Sequence, residues 1–221
     1  MNRSISRRTF LCSGAVFLCS ARLGLAGWPW AGKTSSGSAQ GTIFPGDAPE
    51  SPWKWSKEAA FFQRLDNKNV LCTTCPNACM LKPGDRSICR SKINHDGTLI
   101  SLTYGNPCAV HIDPVEKKPL FHFQPRSTTF SIAAAGCNLR CLNCQNWEIS
   151  QVKPEEVTTH ELFPDQVVRQ AKQSGASSVA YTYSEPVTFI EYMLDTARAA
   201  KDQGLSNLLI SNGFVNTRPL K

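Results

Sequence analysis

Cys137, Cys141 and Cys144 stand in the order Cys-x-x-x-Cys-x-x-Cys, a spacing at which one wrapped loop can aim three sulfurs at a common point. Thiolate is a soft ligand that suits iron–sulfur clusters or zinc and serves magnesium or calcium poorly. A structural zinc normally takes four ligands, and this loop carries no His and no fourth Cys close behind, so iron is the better reading. Three thiolates hold three corners of a four-iron cluster and leave one iron open to a ligand that is not protein. The bland alternatives are a zinc knuckle or three unrelated buried thiols.

The chain around the loop reads as strands and helices in alternation. The run at 129–135, Thr-Phe-Ser-Ile-Ala-Ala-Ala, predicts a buried strand immediately before the cysteines. A helix is expected over 164–174, with Pro164 in its first turn and Gly175 as the cap residue. A short strand follows at 178–183, then a helix after Pro186 with Ile190, Met193, Leu194 and Ala197 on one side, closing at Gly204. A third strand is expected at 207–210. Such alternation predicts an α/β fold with a parallel sheet and right-handed crossovers, whose active residues sit at the C-terminal ends of strands. Glu185 and the Ser211-Asn212-Gly213-Phe214 turn fall at those ends. A carboxylate at Glu185 could equally be a helix-entry residue favoured by the dipole.

A second cysteine group precedes these elements: Cys72, Cys75, Cys79 and Cys89. Pro76 suggests a first helical turn there, which would set Cys79 one turn beyond Cys75 on the same face. Four thiolates can close a zinc site or hold a second iron–sulfur cluster, and a metal would stabilise a segment too short to build its own core. A pair of disulfides is the alternative, favoured if the protein is exported. The stretch 104–123 reads as a Pro-punctuated connector with His111 and His122 as proton carriers or ligands or, more simply, as packed or hydrogen-bonded histidines, and Cys108 as a buried free thiol. A helix is expected at 57–65.

The loop residues Gly136-Cys-Asn-Leu-Arg-Cys-Leu-Asn-Cys-Gln-Asn-Trp-Glu-Ile-Ser-Gln151, together with Asp113-Pro-x-Glu-Lys-Lys-Pro-Leu120, resemble the radical S-adenosylmethionine (SAM) superfamily. Within it they look like the pyruvate formate-lyase-activating-enzyme-like branch, and most narrowly the radical SAM member of the AmmeMemoRadiSam system. The resemblance runs from about Trp53 onward and implies a (β/α) TIM-like barrel, of which this chain supplies about three strand–helix units after a small Cys-rich segment. It implies a 4Fe–4S cluster on Cys137, Cys141 and Cys144 and SAM chelated to the open iron. One electron from an external reductant would cleave SAM to methionine and a 5′-deoxyadenosyl radical, which abstracts hydrogen from a protein or small-molecule substrate. The cofactor carries that chemistry and the protein supplies orientation. Glu185 would accept a hydrogen bond from the SAM amino group, and Asn212 would line the cavity. The aromatic residue that the family often has before the third cysteine is Asn143 here, which leaves backbone contact to the adenine. Rival readings are an iron–sulfur electron carrier, a metal-stapled binding protein, or an inactive remnant.

The first 26 residues read as a separate signal. Ser6-Arg7-Arg8-Thr9-Phe10-Leu11, an apolar stretch and Gly24-Leu25-Ala26 resemble a twin-arginine export signal, implying a periplasmic location, with the cytoplasm as the alternative. Arg22 and polar residues interrupt the apolar run, so no stable membrane span is expected. Residues 27–52 read as a flexible linker, 53–126 as the Cys-rich segment and connector, and 127–221 as the N-terminal half of the barrel. Because 221 residues end where a third barrel helix is due, a truncated form of a longer enzyme is expected. The net charge is +7, but four arginines of the signal account for much of it, leaving 20 basic against 17 acidic residues. That balance gives no nucleic-acid-binding pattern.

Overall fold

A computed structural model of the chain describes residues 43–221. The expected signal at 1–26 and most of the linker at 27–52 lie outside the described residues.

Six short strands come first: β1 (Lys57–Glu58), β2 (Phe62–Arg64), β3 (Val70–Cys72), β4 (Met80–Leu81), β5 (Lys92–His95) and β6 (Thr98–Ser101). They form two antiparallel sheets, ordered β1-β6-β5 and β2-β3-β4. Val70, Leu81, Leu99 and the sulfur-bearing Cys72 and Cys79 make the core between them. The helix expected at 57–65 is absent, and strands β1 and β2 stand in its place. Helix propensity is overridden by distant partners: Lys57 pairs with Ser101, Ala59 donates to the Leu99 carbonyl, and Phe62 pairs with Cys72. The helical turn expected after Pro76 is also absent. Ala78 takes a left-handed φ of 44° and donates to the Cys75 carbonyl, while Cys72 donates to Cys79 and closes the β3–β4 hairpin.

The remaining elements are β7 (Ala109–Pro114), β8 (Thr128–Ala133), α1 (Trp147–Ser150), α2 (Pro164–Gln173), β9 (Ser178–Tyr181), α3 (Ile190–Asp202), β10 (Ser206–Leu209) and α4 (Thr217–Leu220). One four-stranded sheet is ordered β10-β9-β8-β7. Strands β8, β9 and β10 run parallel, and β7, from the stretch read as a connector, pairs antiparallel along the outer side of β8.

Strand periodicity sorts the side chains. Phe130 and Ile132 of β8, with Val179 and Tyr181 of β9, pack against Val168 of α2 and Tyr192 of α3. Ala180 and Leu208 belong to a separate cluster with Val115. Pro164 opens α2, and the Gln166 side chain accepts from the Phe163 N–H at 2.7 Å, satisfying a donor at the helix start. Gly175 and Gly204 end α2 and α3 at positive φ of 72° and 74°.

Two buried cations fasten the Cys-rich sheets to the rest of the chain through ion pairs. Lys92 of β5 and Glu191 of α3, with side chains 1% and 2% exposed, meet at 2.6 Å, and Glu191 also accepts from the Ala60 N–H. Arg86, with a side chain 1% exposed, pairs with Asp47 and Glu155 and donates to the Arg90 carbonyl.

Candidate metal centre

The loop that leaves β8 is pinned on both sides. Gly136 donates to the Ile149 carbonyl, and its φ of 101° is closed to residues with a side chain. A Cβ at Gly136 would also stand 2.2 Å from the Cys89 carbonyl oxygen, so the two cysteine groups touch through this glycine. Asn138, 2% exposed, donates to the Phe214 carbonyl and accepts from Asn212 Nδ2. Its own carbonyl accepts from Asn77 Nδ2 at 2.8 Å. Gln151 reaches back to the Leu139 carbonyl, and Asn146 donates to the Tyr183 carbonyl.

These bonds hold Cys137, Cys141 and Cys144 on the wall of one cavity of about 590 Å³ that also includes Glu185 and Asn212. Cys141 is exposed and the other two are partly buried. Cys137 Sγ accepts from the Leu139 N–H at 3.4 Å. Burial pushes the Cys137 thiol up to about 11, aided by Glu185 and the other two cysteines, against the Leu139 N–H. Binding a metal there therefore means displacing a proton.

Glu185, 3% exposed, is both a helix-entry residue and a wall of the cavity. One carboxylate oxygen accepts from the Val187 N–H and the Ser211 hydroxyl, the other from the Asn212 N–H. A carboxylate has roughly four acceptor positions, so one remains for a ligand donor. The Asn212 side chain is committed to Asn138 and the Phe214 N–H. Asn143 is exposed on the cysteine loop and is not among the residues that line the cavity.

Lys117, Lys118 and Tyr183 line the same cavity and all bond Asp113; the sequence motif that contains Asp113, Lys117 and Lys118 gave them no individual role. Asp113 and Lys118 are buried at 4% and 3% exposed and meet at 2.7 Å. Lys117 bonds the other Asp113 oxygen at 2.8 Å, and the Tyr183 hydroxyl donates to Asp113 as well. Burial works against the Asp113 charge, but Lys117, Lys118 and Tyr183 outweigh it and hold the carboxyl well below the usual range. Burial also lowers the Lys118 ammonium, with Asp113 opposing. Tyr183 sits at φ 64°, a strained conformation for an aromatic residue of the kind that gathers at working sites. The readable signal was the Asp-Pro-x-Glu-Lys-Lys run itself, which places two cations within five residues of one carboxylate.

Tyr183, Lys117, Gln145 and Asn146 also line a neighbouring cavity of about 370 Å³ that contains Cys108 and His111. His111 meets Tyr183 edge to face at 5.6 Å, and Cys108 is partly buried. His122 is exposed and lines neither space.

Cys72, Cys75, Cys79 and Cys89 are buried together and line a small enclosed space. All eight cysteines of the described residues are free thiols. Among those residues, no three His, Cys, Asp or Glu side chains are already gathered as a single bound ion would gather them. Nor is any helix there long and apolar enough to cross a membrane.

An uncharacterized protein of Methanocaldococcus jannaschii is 43% identical over 165 residues, covering 75% of this chain and 50% of that protein. The pyruvate formate-lyase 1-activating enzyme of Escherichia coli is 33% identical over 84 residues, 36% of this chain and 33% of the enzyme. The Shigella flexneri enzyme of the same name matches equally. The chain thus spans half or less of the curated relatives it matches. No protein-family profile and no solved structure matches it.

Proposed function

We propose that the chain carries the cluster and SAM site of a radical SAM enzyme related to glycyl-radical activases, on a partial (β/α) barrel. The observation that carries this reading is that Cys137, Cys141 and Cys144 share one cavity wall with Glu185 at the ends of the parallel strands. The local similarity to an activating enzyme supports it. The donor set fits a 4Fe–4S cluster: three thiols on one loop, no fourth, and a cavity of about 590 Å³ beside them, within the usual span of roughly 300–1,000 Å³ for small-molecule sites.

Cys137, Cys141 and Cys144 would hold three irons of a cluster. When bound and reduced by an external electron donor, that group would supply one electron for reductive cleavage of SAM. Glu185 offers its remaining acceptor position to the SAM amino group, a charge-assisted bond about twice as strong as a neutral one. The Val187 and Asn212 N–H groups keep that carboxylate oriented. Lys117 and Lys118, which line the same cavity and share Asp113, contribute net positive charge there, suited to the SAM carboxylate or an acidic substrate group. Leu139 N–H donates to the Cys137 sulfur and steadies it as thiolate.

The test is anaerobic reconstitution with iron and sulfide, followed by reduction and addition of SAM. The expected result is a SAM-dependent change in the electron paramagnetic resonance signal and formation of 5′-deoxyadenosine. A cluster that cycles between redox states while SAM stays intact would replace this reading with an electron carrier.

A further inference from the structure

We propose that Cys72, Cys75, Cys79 and Cys89 bind one zinc ion, and that this site is the abutment against which the Cys137 loop is set. The first observation is placement. Cys72 ends β3, Cys75 and Cys79 lie in the turn that leads to β4, and Cys89 lies ahead of β5, yet all line one enclosed space of about 10 Å³. The hairpin bond from the Cys72 N–H to the Cys79 carbonyl, at 2.9 Å, sets two of them side by side.

The second observation is Lys92. Its ammonium lies in the same wall at 1% exposure and has one protein partner, Glu191. An ammonium has three donors, so two N–H groups of a fully buried cation are left without an acceptor among the described residues. Glu191 balances the charge, but N–H donors left unpaired in a buried place are costly. Four thiolates around a divalent ion carry net negative charge, and that charge would sit against Lys92. Neutral free thiols packing as small hydrophobes would account for the burial of the cysteines but would leave those two N–H groups without an acceptor.

The hydroxyls around the sulfurs point the same way. Ser87 and Ser91 lie 3.0 and 3.2 Å from Cys89 Sγ, and Thr74 lies 3.4 Å from Cys72 Sγ. These are outer partners of the kind that orient metal ligands. The space of about 10 Å³, close to the smallest that holds one water, about 10–15 Å³, has room for one ion, whereas a core of four irons and four sulfides would have to push the four cysteines apart. In a loaded site the four sulfurs would stand about 2.3 Å from the zinc.

The link to the other loop is direct. The Cys89 carbonyl faces Gly136, Asn77 of the cysteine turn bonds the Asn138 carbonyl, and Ser91 bonds the Thr188 carbonyl. Fixing Cys75 and Cys89 to one ion therefore fixes the surface on which Gly136 and Asn138 rest.

The test does not depend on the cluster reading, because it uses the full chain with Cys137→Ala, Cys141→Ala and Cys144→Ala together. Purified under reducing conditions, this protein should retain about one zinc per chain and neither iron nor acid-labile sulfide. Replacement by cobalt(II) should give the thiolate charge-transfer and d–d absorption of a tetrahedral sulfur site. Adding Cys75→Ser should remove both. Should that variant fail to fold, alkylation of the unmodified site gives a second readout: four thiols protected with zinc and reactive after chelation. Zinc lost on simple dialysis, cobalt spectra of an octahedral ion, or iron with sulfide at this site would each overturn the proposal.

Discussion

Replacing Gly136 by alanine tests whether the cysteine loop truly leans on the Cys-rich sheets. Two costs are expected. At φ 101° any side chain is strained, by about 1–2 kcal/mol on the left-handed scale. The added Cβ would also stand 2.2 Å from the Cys89 carbonyl oxygen, so backbone must move on one side, an overpacking cost of about 1–3 kcal/mol. Together these give about 2–5 kcal/mol, or a fall in Tm of about 4–20 °C at roughly 2–4 °C per kcal/mol for a chain of this size. Gly175→Ala is the internal control: its φ is 72° and nothing lies within 4 Å of the new Cβ, so only the first cost of about 1–2 kcal/mol applies. Thermal unfolding of the two variants, followed by circular dichroism beside the parent, measures the difference. If Gly136→Ala is no less stable than Gly175→Ala, the contact with Cys89 is not a constraint and the coupling drawn between the two cysteine groups is wrong.

Other outcomes can be read from the same geometry. Lys92→Met leaves Glu191 charged and buried and should cost about 3–5 kcal/mol, while Lys92→Met with Glu191→Leu should recover much of the loss, as measured by urea unfolding. The Asp113 carboxyl is held below its ordinary value, so its contribution to stability is fully present above the unfolded value of about 3.9 and lost as pH falls through the folded one. Asp113→Asn should therefore flatten the acid limb of a Tm-versus-pH curve between about pH 4 and 2. Glu185→Gln should weaken SAM binding by the worth of a charged hydrogen bond, about 1.5–3 kcal/mol, roughly 10- to 100-fold in Kd by calorimetry. An unchanged Kd would remove Glu185 from the SAM site.

The elements legible in the sequence were those whose signals are local. Gly175 and Gly204 mark the helix ends, Pro164 the first turn, and the apolar run before Cys137 the strand β8, all within a few residues of their observed positions. Residues 57–65 were misread because their partners, Ser101, Leu99 and Cys72, are remote in sequence and no short window contains them. The turn at Cys75–Ala78 was misread because Pro76 is as compatible with a tight turn as with a helix start. In the candidate site, the cysteines and Glu185 were legible from spacing and strand ends. Lys118 was not, since a lysine is normally solvated and its burial depends on Asp113 and the Tyr183 ring, 4.1 Å away. Nor does any local rule announce that a tyrosine will adopt positive φ.

The shared wall of the two cavities has a consequence for ligand length. Tyr183, with Lys117, Gln145 and Asn146, lines both the space of about 590 Å³ and that of about 370 Å³; its hydroxyl donates to Asp113, Lys118 stands over its ring and His111 meets its edge. A partition so placed acts as a ruler: a ligand that fills the cysteine chamber meets the phenol ring, and Tyr183→Ala is expected to widen the way toward Cys108 and His111. Molecular length, rather than charge alone, is thus a property that this site can select through one residue.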